Sequence, residues 1–144
     1  MAAVEELRSE GKEIDIRIVE GVTNAQVREL ISEADVVVDQ LVLGWYAMFA
    51  LEGMAMAKPV VCHIRPDLLE LYLDVGLLAP GELPLVDASV RTIKETLGRL
   101  AELPRSELEA MGRRSRDFAV RHHSVQSVGR VFDRINRGLG LEPR

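Results

Sequence analysis

The 28 residues from Ala34 to Val61, ADVVVDQLVLGWYAMFALEGMAMAKPVV, limit the possible folds more than any other part of the chain. Val36, Val37 and Val38 form a β-branched run that ends in the polar pair Asp39-Gln40. A loop with Gly44 follows, and then a helix of small residues carrying one carboxylate, Glu52. Lys58-Pro59 stops that helix, and Val60-Val61 opens a second apolar run. Strand, loop, helix and strand in so short a span describe a βαβ unit. Its parallel strands would lead into a single ligand-facing edge.

The flanking sequence continues the alternation. Ala2 to Glu10 reads as a helix stopped by Gly11. Ile14, Ile16 and Ile18 alternate with Asp15 and Arg17, which predicts a strand at the sheet edge. Thr23 or Asn24 can cap a helix through Ser32, with Val27, Leu30 and Ile31 as its apolar stripe. Val36 to Asp39 and Val60 to Ile64 read as central strands. Pro66-Asp67 opens a short helix closed by Gly76, and Leu83 to Val86 is a short last strand. Ser89 caps a helix to about Leu103. Ser106, with Glu109 three residues on, begins another, and Ser124 caps a final amphipathic one. The expected fold is α/β: a Rossmann-like parallel sheet of about four strands flanked by helices, with a helical extension over about 104–144.

Composition narrows the function classes. With 144 residues, 47% hydrophobic and 28% charged, the chain is a single domain able to bury a core. No apolar run approaches the roughly 20 residues that span a bilayer, and the start lacks a signal-peptide core. One cysteine, Cys62, rules out an internal disulfide. The expected compartment is reducing cytoplasm. Residues 1–104 hold 9 Lys/Arg against 18 Asp/Glu, a net of −9, whereas residues 105–144 hold 9 against 5, a net of +4. An acidic body argues against nucleic-acid binding.

Ligands of parallel sheets bind beyond the carboxyl ends of the strands. The candidates are Gly21 to Thr23, Asp39 to Met48, His63 to Asp67, and Asp87-Ala88. Gly44, Trp45, Tyr46, Ala47 and Met48 lead into a helix whose first turn has unpaired N–H groups, suited to phosphate or carboxylate. Glu52 is a lone carboxylate among small residues. A ribose could satisfy it, and so could solvent or a neighbouring loop. His63 could touch a phosphate or base and Arg65 a diphosphate, or both could be ordinary loop residues. Trp45-Tyr46 could stack on a base or pack a cleft wall. Cys62 reads as core. His122-His123 lacks a third ligand spaced for a metal, and a helix junction with exposed histidines is the simpler reading.

The segment resembles the donor-binding region of GT-B glycosyltransferases of the group 1, family 4 type. That pattern is an "ADv" strand, a loop with glycine and aromatic residues, then "EaMAxGkPVv", which here runs from Glu52 to Val61. Glu20 to Asn24 and Arg121 to Ser124 also suit the carboxyl-terminal half of such enzymes. The resemblance implies a retaining transfer from a nucleotide-activated sugar, UDP- or GDP-linked, with Glu52 at the nucleotide ribose and the Gly44 to Met48 amides at the sugar or diphosphate. The first glutamate of the family's E-x7-E pair would fall at Gly44. Asp39 and Gln40 supply polar groups nearby. The chain would then be one half of a GT-B enzyme or a stand-alone relative. Without the amino-terminal acceptor domain it is expected to be inactive in transfer. The full enzyme could sit at the inner membrane face. The final helix of such enzymes often crosses back to the amino-terminal domain, so the Val125, Val128, Phe132 stripe could pack partly on that partner, and without it we expect weak homodimers. The other readings are a receiver-like binding module, which lacks the acidic cluster such a fold needs after its first strand, and a structural α/β module.

Overall fold

A computed structural model describes residues 2–141. Seven helices and three strands follow in the order α1 (Ala2–Ser9), α2 (Asn24–Glu33), β1 (Val37–Val38), α3 (Met48–Ala55), β2 (Val60–Cys62), α4 (Pro66–Asp74), β3 (Val86–Asp87), α5 (Ile93–Ala101), α6 (Arg105–His123) and α7 (Val125–Gly138). The strands form one parallel sheet in the order β1-β2-β3, with Val37 opposite Val60, Val38 opposite Val61, Val61 opposite Val86 and Cys62 opposite Asp87. The architecture is α/β, built on a small parallel sheet.

Strand alternation sorts the valines onto two faces. Val37 and Val60 join Ile31 of α2, Ala50 and Met54 of α3, Leu78, and Phe118 and Ala119 of α6 in one buried cluster. Val61, Ala88 and Leu100 of α5 form the other, with Val36, Val38, Val86, Leu108 and Met111 packed against them. The long helix α6 serves both clusters, through Leu108 and Met111 near its start and Phe118-Ala119 near its end. It also approaches α3 at backbone distance: a Cβ on Gly112 would lie 1.9 Å from the Ala57 carbonyl oxygen. Ala57 itself has φ +57°, a left-handed conformation that L-residues adopt at a cost. The resembled pattern has glycine at that position.

The expected fourth strand is absent among the described residues. The stretch holding Ile14, Ile16 and Ile18 forms no ladder, and β1 is the sheet edge. Ile16 and Ile18 are exposed, Ile18 at 67%. The segment is held instead by side chains: Arg8 Nε donates to the Ile14 carbonyl at 2.7 Å, and Arg17 pairs with Glu33. Alternation marks two faces, but a strand also needs a neighbour to accept its hydrogen bonds.

Helix starts follow the sequence signals unevenly. Thr23 caps α2 in a full capping box with Gln26, and Ser124 accepts from the Ser127 N–H at the head of α7. Ser89 instead opens a turn, its carbonyl accepting from Thr92 and Ile93, so α5 begins only at Ile93, beyond its cap signal. Ser106 lies inside α6, which begins at Arg105 directly after Pro104 and has no side-chain cap. Pro104 is extended, with φ −56° and ψ 144°, and the helix begins at the next residue.

Candidate functional site at the carboxyl edge of the sheet

The three strands deliver Asp39-Gln40, His63 and Asp87 to one edge. Gln40 organises the loop that follows β1. Its Oε1 accepts from the N–H groups of Val42 (2.9 Å), Leu43 (2.5 Å) and Gly44 (3.4 Å). Its Nε2 donates to the Trp45 carbonyl at 2.6 Å and the His63 carbonyl at 3.1 Å. Asp39 Oδ2 accepts from the Ala47 N–H at 3.0 Å, which places the chain at the mouth of α3. Asp39 and Gln40 thus act first on the loop itself. Of the amides from Gly44 to Met48, those of Gly44 and Ala47 are already engaged.

Helix α3 starts without a side-chain cap: Ala47 is its N-cap and supplies no acceptor. The first-turn N–H groups of an α-helix have no partner within the helix. Met48 is exposed and Glu52 half-buried, whereas Ala50, Gly53 and Met54 are buried. Met48 and Glu52 are four residues apart, so they share the outward face of α3, one turn from each other. Among the described residues the Glu52 side chain has no hydrogen bond or ion pair.

Gly44 has a structural reason to be glycine. Its φ is +90°, and a Cβ there would lie 2.3 Å from Cγ and 2.4 Å from Cδ of Arg65. The Arg65 N–H donates to the Gly44 carbonyl at 2.9 Å, fixing the two loops against each other. The Arg65 guanidinium is held in a fork on Asp67, at 3.0 Å from Nε and 2.5 Å from Nη2. That hydrogen bond holds the Asp67 carboxyl below its usual range. The pair is exposed, so a stronger anion can compete for the arginine.

At the other side of the edge, Asp87 Oδ1 accepts from the Ile64 N–H at 2.8 Å and lies 3.3 Å from His63 Nδ1. Asp87 thereby orients His63, a role that its place just after the last apolar run could have signalled. Cys62 is fully buried, its sulfur 3.2 Å from Gln40 Nε2. Burial, reinforced by the Asp39 charge, pushes the thiol up to about 11, so it stays protonated near neutrality.

Trp45 and Tyr46 are part of the protein's own packing. Trp45 lies 4.3 Å from Tyr72 between ring centroids, and Tyr46 meets Phe118 edge-on at 6.3 Å. The Tyr46 hydroxyl and His123 Nε2 share a hydrogen bond at 3.1 Å. Burial pushes the Tyr46 phenol up to about 12, and burial followed by the His122 charge holds His123 below the usual histidine value. His122 is half-buried, stacked on Phe118 at 4.5 Å, and donates to Glu82 Oε1 at 2.9 Å. The two histidines therefore serve the α6–α7 junction, and His122 is less exposed than its sequence context suggested. Gly21 to Thr23 stand apart from this edge as the approach to α2, because no strand precedes them. A concavity of about 560 Å³ lies between α6 and the 79–85 segment that leads into Val86 at the start of β3. No family model, curated protein or solved structure matches this chain.

Proposed function

We propose that the chain is the donor-binding domain of a GT-B glycosyltransferase, taking a nucleoside diphosphate sugar at the carboxyl edge of its sheet. One observation carries the reading: the uncapped first turn of α3 and the unpaired, half-buried Glu52 share one helix face at that edge. A nucleotide laid along this face meets anion-seeking amides at the diphosphate and a carboxylate at the ribose diol. The diphosphate contacts fall to the α3 first turn and Arg65, since Gln40 and Asp39 hold the Gly44 and Ala47 amides. Asp39 and Asp87 make the rest of the edge acidic, so the cationic help comes from Arg65, with His63 beside it as a polar contact. A second domain carrying the acceptor would complete the transfer, with retention of configuration.

A second reading, a non-catalytic α/β module, draws on the same loop, whose polar groups are largely satisfied from within. Calorimetric titration with UDP, GDP, ADP and their sugar conjugates separates the two. The donor-domain reading expects saturable binding of the UDP or GDP series, weakened at least about tenfold by Glu52→Ala, a loss of roughly 1.4 kcal/mol. Binding by Glu52→Ala equal to the parent removes the ribose assignment. Silence with every nucleotide removes the donor-domain reading.

A further inference from the structure

We propose that His123, the last residue of α6, is a positioning residue for the first turn of α3, acting through the hydroxyl of Tyr46. What that turn binds is taken from the donor-domain reading; the link to His123 is geometric. His123 Nε2 and the Tyr46 hydroxyl lie 3.1 Å apart, across 77 residues of sequence. Either tautomer of the imidazole serves, since a phenol both donates and accepts. Their rings meet edge to face at 84°, and Phe118 stands beside both, 6.3 Å from Tyr46 and 5.8 Å from His123.

Tyr46 stands between two residues that the end of β1 already grips. The Trp45 carbonyl accepts from Gln40 Nε2 at 2.6 Å, and the Ala47 N–H donates to Asp39 Oδ2 at 3.0 Å. Three consecutive residues are thus pinned, the outer two from the strand end and the middle one from α6. Ala47 is the N-cap of α3, so a shift of Tyr46 passes within one residue to the first-turn amides. Packing alone requires only the ring. The hydroxyl adds a bond that fixes how the ring is turned, and at a half-buried position that bond is costly to leave unmade. His123 also directly precedes Ser124, which ends α6 and caps α7. The joint between the last two helices is thereby tied to the turn that faces the ligand.

Trp45 is the chain's one tryptophan and stacks on Tyr46 at 5.3 Å, so it reports the loop without any ligand. The test compares acrylamide quenching of its emission in the parent, His123→Ala, Tyr46→Phe, the double variant and His123→Gln. The glutamine returns a hydrogen-bonding amide near the place of Nε2. Calorimetry with UDP and GDP follows on the same proteins, and circular dichroism checks that each is folded. We expect each of His123→Ala and Tyr46→Phe to raise quenching and to weaken nucleotide binding about threefold. The double variant should be no worse than either single one, and His123→Gln should recover most of both losses. Parent-like quenching or parent-like affinity in folded His123→Ala overturns the proposal. So does a double variant whose loss multiplies those of the singles, because the two residues then act separately. If the parent binds neither nucleotide, the donor-domain reading falls. The quenching series then decides alone whether His123 holds the loop.

Discussion

Helices α3 and α7 solve opposite problems. α3 is short and almost uniformly small and apolar, and it is wedged between the sheet and α6. A Cβ on Gly53 would lie 3.1 Å from Val60 Cγ2 and 3.2 Å from Val37, while Gly112 brings α6 onto the Ala57 carbonyl. α7 has the stronger two-sided pattern and the less covered apolar face. Two-sidedness thus records that a face needs a cover. It says nothing about whether the cover lies within the same chain. Small residues, by contrast, mark the places where backbones of the same chain meet.

The comparison breaks most visibly at Gly112. Gly112→Val should cost about 4 kcal/mol or more, since its Cβ would overlap the Ala57 carbonyl and backbone must move. Urea unfolding measures this, and a cost below about 1 kcal/mol would mean that α3 and α6 are not locked at this point. Gly44→Glu, which restores the carboxylate of the resembled E-x7-E pair, should destabilise by about 2 kcal/mol through its left-handed φ and the Arg65 stem. A neutral or stabilising result would show that the loop relaxes around the new side chain.

Acid should act on the same core through His123. Its folded pKa is depressed by burial and by His122, so the unfolded chain takes up the proton first as pH falls. The contribution is therefore complete above the ordinary histidine value of about 6.5 and is lost as pH drops from there through the folded pKa. The urea midpoint should fall modestly between pH 7.5 and pH 5.5, and less so in His123→Phe. The smallest effect belongs to α7: Ile135→Ser should change stability by no more than about 0.5 kcal/mol, because the face it alters is uncovered. A larger loss would place α7 in the core after all.

Much of this fold could be read in the residues. The valine runs at 36–38 and 60–61 became adjacent parallel strands, and the Thr23 and Ser124 caps start their helices as written. What local pattern could not supply was long-range pairing. The isoleucine alternation at 14–18 lacked a neighbouring strand. Ser89 and Ser106 offered cap chemistry at places where a turn and a proline set the helix start. At the edge, Asp39, Gln40, His63 and Arg65 are brought close as topology suggested, but their hydrogen bonds hold the loops to one another. That detail lies in side-chain direction, which periodicity does not encode. The inward packing of Trp45 and Tyr46 against Tyr72 and Phe118 likewise depends on contacts distant in sequence.

Gln40 has a final consequence. A carboxamide can receive three N–H groups on its oxygen while its nitrogen holds the Trp45 carbonyl of the same loop and the His63 carbonyl just beyond β2. A glutamate in its place would keep the first half of that arrangement and turn the second into repulsion between oxygens. The first half of the loop before α3, from Val42 to Trp45, is therefore shaped by a neutral group, while its end at Ala47 rests on the Asp39 carboxylate. A response of this edge to pH or salt should therefore enter at the Asp39 contact with Ala47 and leave the Gln40 half of the loop in place.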